Sequence, residues 1–84
     1  MSMEAQAVYD SGLELWKYYH SQKNVNPDAS FYDIRKYFQG EKNGRMNSDS
    51  DDETYTALIS DLRAKQKTLA KKIEESVYEY GFLR

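Results

Sequence analysis

The chain has 84 residues, no cysteine, and 12 basic against 14 acidic side chains. The absence of cysteine excludes disulfides, thiolate nucleophiles and cysteine-ligated zinc, and the lack of a basic excess argues against sequence-independent phosphate binding. No apolar run approaches the roughly 20 residues of a membrane span, and residues 1–10 lack the basic and hydrophobic segments of a secretory signal. We therefore expect one small domain over residues 1–84, cytoplasmic and without a membrane partner.

The first predicted element is an amphipathic helix over residues 3–22, because apolar side chains recur on one arc. Gly12 lies inside this arc at a cost of about 1 kcal/mol relative to Ala, which suggests either a close helix approach or a tolerated weak point. The residues of this helix that we assign to the core are Val8, Leu15, Trp16 and Tyr19.

His20 is the only histidine and follows two tyrosines near the end of this helix. It has no cysteine and no second histidine with which to share a metal, so it lacks the partners of imidazole chemistry. A contact with the carboxy-terminal end of the helix, where a cation is favoured, is the better interpretation.

A second, short helix is predicted over residues 29–39. It follows the only proline, Pro27, and Ser30 with Asp33 three residues later forms a capping signal. Gly40 is the expected stop. The predicted core residues of this helix are Phe31, Ile34 and Phe38.

Residues 40–50 contain Gly, Asn, Ser and charged side chains with a single apolar residue, Met46, and this composition predicts a flexible connection. The acidic segment 47–53 has the alternation of a calcium loop, but an EF-hand requires Gly at its sixth position and a carboxylate at its twelfth. Counted from Asn47, those positions hold Asp52 and Leu58. Capping of the next helix is the favoured interpretation.

The third predicted element is a helix over residues 51–80, without Pro or Gly and about 45 Å long. We expect Gly81 to end it in a left-handed conformation, with Phe82 folding back onto Val77 as the apolar contact of a Schellman cap. Gln66 interrupts the apolar stripe, either because it pairs with a polar group or because water reaches it. The predicted core residues of this helix are Tyr55, Leu58, Ile59, Leu62, Leu69, Ile73 and Val77.

One flank of this helix carries Arg63, Lys67 and Lys71 at four-residue spacing. These side chains are able to contact phosphates. A solvated face is the favoured interpretation, because Asp61 lies four residues before Lys65 and acidic residues dilute the charge further along.

No motif for chemistry is present. The chain has no glycine-rich phosphate loop, no nucleophile elbow and no Walker sequence. We expect no enzyme activity, no catalytic residue, no cofactor and no metal.

Three stretches carry a resemblance: residues 30–40 (SFYDIRKYFQG), 44–47 (GRMN) and 77–83 (VYEYGFL). Across roughly its last two-thirds, the chain resembles the carboxy-terminal helical segment of large bacterial restriction-modification polypeptides with an N6-adenine DNA methylase region. The resemblance implies a helical piece that is attached to, or works beside, DNA-modifying machinery. It does not imply methyl transfer, because the chain has neither a cofactor loop nor an Asn/Asp-Pro-Pro-Tyr motif.

The sequence thus predicts an all-α domain of three helices, the two shorter ones packed on the long one. Because the long apolar stripe exceeds what two short helices cover, we expect a non-catalytic protein-interaction or assembly module, with a protein partner or a homodimer through the long helix. The alternative is an accessory DNA-contacting domain that uses the basic flank, and nucleic acid is the less favoured partner.

Overall fold

The structure is a computed structural model that describes the backbone of residues 2–42, 45–46 and 50–82 and the side chains of residues 2–40 and 50–77. It contains three helices: α1 (Met3–His20), α2 (Phe31–Gln39) and α3 (Glu53–Phe82). The predicted all-α class, with two shorter helices and one long one, is confirmed. Each observed helix end lies within two residues of the predicted one, which is the usual uncertainty of such boundaries.

The first two helices begin at serine caps. Ser2 Oγ accepts a hydrogen bond from the Ala5 amide at 3.1 Å. At α2, Ser30 and Asp33 form the predicted capping box, in which each side chain accepts from the backbone amide of the other residue. These hydrogen bonds hold the pKa of Asp33 below its usual value. Gly40 ends α2 with a φ of 74°, as predicted.

The start of α3 is capped by Asp52. Its Oδ1 accepts from the Tyr55 amide at 2.9 Å, and the same carboxylate accepts from the Tyr18 hydroxyl of α1 at 2.7 Å. Ser50 joins this cap to α2, because its Oγ donates to the Phe38 carbonyl at 2.8 Å and accepts from the Asp52 amide at 3.2 Å. The predicted capping role is confirmed for Asp52, and this cap also connects all three helices.

The connection between α2 and α3 contains a short antiparallel ladder of β1 (Glu41–Lys42) and β2 (Arg45–Met46), in which Glu41 faces Met46. The predicted flexible connection over residues 40–50 thus includes paired backbone at these four positions. Backbone pairing does not need apolar side chains, so composition alone did not indicate it.

The far end of α3 differs from the predicted one. The helix continues through Phe82, so Gly81 lies inside it and not beyond it, and the predicted left-handed cap at Gly81 is wrong. A glycine inside a helix costs only about 1 kcal/mol, which a 30-residue helix tolerates. The predicted contact of the Phe82 side chain lies outside the described side chains.

Helices α1 and α3 pack antiparallel along most of α1. Three contacts mark the alignment: Tyr18 with Asp52, Ser11 Oγ with Asp61 at 2.8 Å, and Glu4 with Lys72 at 3.9 Å. Because Glu4 lies in the first turn of α1, α1 begins near the level of Lys72. Residues 73–82 of α3 continue for about 15 Å beyond that level. We call them the overhang.

The core lies where the three helices meet, in the half of α3 nearest its start. Phe38 brings α2 into this core, because its ring stacks on Tyr55 with centroids 4.5 Å apart and on Tyr18 at 5.4 Å. The half-buried side chains of Val8 and Leu58 pack against the same cluster. Its six buried apolar members, all of them predicted, are Leu15, Tyr19, Ile34, Tyr55, Ile59 and Leu62.

Four predicted core residues are exposed, and for these the prediction is wrong: Trp16 (47%), Phe31 (45%), Ile73 (54%) and Val77 (66%). The two on α3 lie in the overhang, beyond the level at which α1 begins. The other two lie at the margin of the short helix α2, which has only nine residues and covers only part of the α1–α3 pair. Leu69 is half-buried. The apolar stripe of α3 is therefore longer than its cover, as the sequence indicated.

Candidate interaction groove

The exposed apolar side chains frame a groove between α1 and α3. Its volume is about 430 Å³, and Phe31 of α2 contributes to its lining. Gln66 carries the only side-chain amide in the wall, so the lining offers few groups that would orient a polar ligand. The lining residues are Val8, Tyr9, Gly12, Leu13, Trp16, Phe31, Leu62 and Gln66.

Gly12 keeps the groove open. A Cβ built at this position has no heavy atom within 4 Å, apart from the neighbouring residues and the backbone of its own helix. The interpretation that Gly12 permits a close helix approach is therefore wrong, because no atom of a facing helix occupies the space that a side chain would take. Its lack of a side chain instead leaves free space in the wall that a larger residue would fill.

Trp16 forms a wall of the groove and is held there by His20. The two ring centroids lie 4.1 Å apart. Nδ1 of His20 lies 2.9 Å from the Trp16 carbonyl oxygen and Nε2 lies 3.2 Å from that of Pro27. The predicted contact of His20 with the carboxy-terminal end of α1 is confirmed, and it fixes the indole beside the groove.

The groove continues along α3 as an exposed stripe. Gln66 is exposed in the wall, which agrees with the interpretation that water reaches it. At about 100° per residue, Leu62, Gln66, Ile73 and Val77 lie within an arc of about 60°. The wall of the groove and the apolar side chains of the overhang thus lie on one face of the same helix.

The basic flank begins beside this face at Arg63 and turns away from it towards Lys71. Arg63, Lys67 and Lys71 are all exposed, and none of them forms an ion pair with a residue that the structure describes. Lys65, by contrast, donates to Asp61 at 2.9 Å, as predicted. Hydrogen bonds from Lys65 and then from Ser11 hold the pKa of Asp61 below its usual value.

A second, more polar cavity of about 360 Å³ lies between the end of α2 and the first turns of α3. The Tyr55 hydroxyl, which is fully buried there, has no hydrogen-bond partner among the described residues. Burial raises the pKa of Tyr55, and the charges of Arg35 and Arg63 oppose this shift. Periodicity did not indicate this cavity, because its walls combine side chains of α2, of the connection and of α3, and periodicity does not show how separate elements pack.

Within the described ranges, no three His, Cys, Asp or Glu residues lie close enough to hold a metal ion. Part of the acidic segment, residues 47–49, lies outside those ranges. None of the helices that the structure describes is both long and apolar enough to cross a membrane.

Comparison of the chain with protein-family models, with curated proteins and with solved structures found no match. The resemblance to restriction-modification polypeptides therefore stays a prediction that rests on the three sequence stretches alone. The class of protein must be inferred from the fold and from the groove.

Proposed function

We propose that this chain is a non-catalytic protein-interaction module whose groove receives the apolar face of a partner's amphipathic helix. The observation that carries the proposal is the groove itself, an open apolar cleft between two helices with Trp16 and Phe31 exposed at its edges. Helix-in-groove recognition uses apolar side chains at helical spacing to fill such clefts. Exposed aromatic side chains favour this use, because Trp and Tyr are enriched at the centres of interfaces.

The chain carries its own reporter for this proposal, because Trp16 is its only tryptophan. Covering the indole with apolar side chains removes it from water and shifts its emission to shorter wavelength. A displayed library of amphipathic helical peptides, selected on the immobilised full chain, supplies the probe. We expect binders that shift Trp16 emission on titration.

Gly12→Leu is the matched control for this experiment. The new side chain enters free space and improves helix propensity, so the variant should fold at least as well as the original chain. It should also abolish peptide binding by filling the groove. Selection without binders, or binders whose affinity Gly12→Leu leaves unchanged, would overturn the proposal.

The resemblance suggests a setting for this module beside a restriction-modification enzyme. The test is to mix the purified chain with a purified N6-adenine methylase polypeptide from the same genome. Co-migration that Gly12→Leu abolishes would support the setting. Separate migration at high concentration would remove it and leave the groove proposal intact.

A second candidate function is contact with DNA, which the three unpaired cations of the basic flank favour. The affinity for a duplex should then fall steeply as salt rises, because each neutralised phosphate releases counterions. Lys71→Ala separates this candidate from the groove, since Lys71 lies about 150° around α3 from the apolar stripe. Loss of DNA affinity in that variant, with peptide binding kept, is the expected result; no binding of any duplex at low salt would end this candidate.

A further inference from the structure

We infer that one occupant of the groove is the overhang of a second copy of this chain, so that two copies exchange overhangs in an antiparallel pair. This inference rests on the proposed function and names its partner. Length is the first argument. The wall that α1 provides extends from Val8 to Trp16, which is about 12 Å, and the overhang is about 15 Å long.

The spacing of side chains is the second argument. Leu62 and Gln66 in the wall are four residues apart, as are Ile73 and Val77 in the overhang. Consider an antiparallel pair of α3 helices whose two-fold axis passes between Leu69 and Ala70. In this pair, Leu62 lies level with Val77 of the second copy. Gln66 then lies level with Ile73. One two-fold axis therefore places each overhang beside the other copy's groove, as a closed symmetric interface requires.

Charge is the third argument. Arg63, Lys67 and Glu74 lie within an arc of about 40° on the flank that borders the stripe. A two-fold axis perpendicular to the helices brings the same flank of both copies together. In the alignment set by the apolar residues, Glu74 of the second copy lies level with Lys65, halfway along the helix between Arg63 and Lys67. The two cations have no ion pair among the described residues, so they are available to this carboxylate.

The same pairing covers the exposed side chains that the single chain leaves in water. Ile73 and Val77 are each more than half exposed, and Trp16 is nearly so. Gln66 is the group that fits least well, since an amide opposite Ile73 would lose contact with water. Gln66→Leu should therefore strengthen the pair by about tenfold.

The test is sedimentation equilibrium of the full chain from micromolar to millimolar concentration. We expect the mass to rise from 9.9 kDa towards twice that value, with a parallel shift of Trp16 emission. Gln66→Leu should lower the dissociation constant, and Gly12→Leu should raise it.

Charge reversal tests the alignment itself. Glu74→Lys alone, or Arg63→Glu together with Lys67→Glu, should weaken the dimer by roughly tenfold or more. All three changes combined should restore it, because the opposite charges again face each other. All of these positions are exposed, so circular dichroism should show unchanged folding.

Two results would overturn the inference: a mass of 9.9 kDa at every concentration, or a dimer that the triple charge reversal fails to restore. Neither result changes the outcome of the peptide selection with its Gly12→Leu control, which tests the groove as an interaction site. Failure of the self-association and failure of the groove as an interaction site are thus read from separate experiments.

Discussion

Truncation along the apolar stripe of α3 should have very different effects at its two ends. Leu62 is 3% exposed in the core, so Leu62→Ala removes buried methyl groups and leaves a cavity, at a cost of about 2–5 kcal/mol. Ile73 lies in the overhang with more than half of its surface already in water. Ile73→Ala should change the free energy of unfolding by no more than about 0.5 kcal/mol, since the gain in helix propensity offsets the small loss of burial.

The size of the first effect makes it easy to measure. A domain of 84 residues has a total stability of roughly 4–13 kcal/mol, so Leu62→Ala removes a large fraction of it. At about 4–8 °C per kcal/mol for a domain of this size, the melting temperature should fall by about 10 °C or more. Urea denaturation followed by circular dichroism gives the same quantity as a free energy, provided that the slope with urea is unchanged.

The measurement belongs at high dilution, where association of copies does not contribute. Leu69→Ala is the internal control, because Leu69 is half-buried and should give an intermediate value. If Ile73→Ala proved as costly as Leu62→Ala in dilute solution, the overhang would have to be packed within the single chain. The division of α3 into a covered half and an uncovered end would then be wrong.

Three further predictions concern caps, backbone and pH. Gly12→Ala should stabilise the chain by up to about 1 kcal/mol, whereas Gly40→Ala, at a φ of 74°, should destabilise it by about 1 kcal/mol; equal shifts in melting temperature would contradict both assignments. Asp52→Ala should cost about 1–2 kcal/mol in chemical denaturation by removing the cap of α3, and a loss near zero would refute that cap. Because the pKa of Asp61 is lowered, its ionised carboxylate stabilises the fold at pH values above 3.8, the ordinary pKa of Asp. This contribution is lost as the pH falls through the lowered pKa. The raised pKa of Tyr55 acts at alkaline pH. Its contribution to stability is present below pH 10.0, the ordinary pKa of Tyr, and is lost as the pH rises through the raised pKa. A melting temperature that does not fall below pH 3.8 or above pH 10.0 would contradict the stabilising roles of Asp61 and Tyr55.

The helices were predictable because local signals repeat along them. The capping box at Ser30 and Asp33, the stop at Gly40 and the apolar spacing of α3 each act within a few residues. The ladder between α2 and α3 was missed although residues 43–44 are Asn-Gly, which is the strongest short signal for a hairpin. Composition outweighed that dipeptide in the prediction.

The groove was harder to predict, because periodicity shows which side chains share a face but not which neighbour covers them. Trp16 and Ile73 fit the apolar pattern as well as Leu15 and Leu62 do. What separates them is the relative length and alignment of the helices, which depend on contacts such as Ser11 with Asp61 across fifty residues. The mismatch between a long stripe and short partners was visible in the sequence, whereas the position of the uncovered end was not.

The junction of Ser50 and Asp52 has a consequence for local opening of the chain. The first turn of α3 is bonded to the last turn of α2 through Ser50 and to α1 through the Tyr18 hydroxyl. Release of the Tyr55 amide from Asp52 therefore disturbs all three helices together, so this amide should exchange with deuterium only by unfolding of the whole domain. The amide of Val77, which lies beyond the level where α1 begins and whose side chain is 66% exposed, should exchange by fraying. A single long helix thus begins in the most cooperative part of the molecule and ends in the part that opens first.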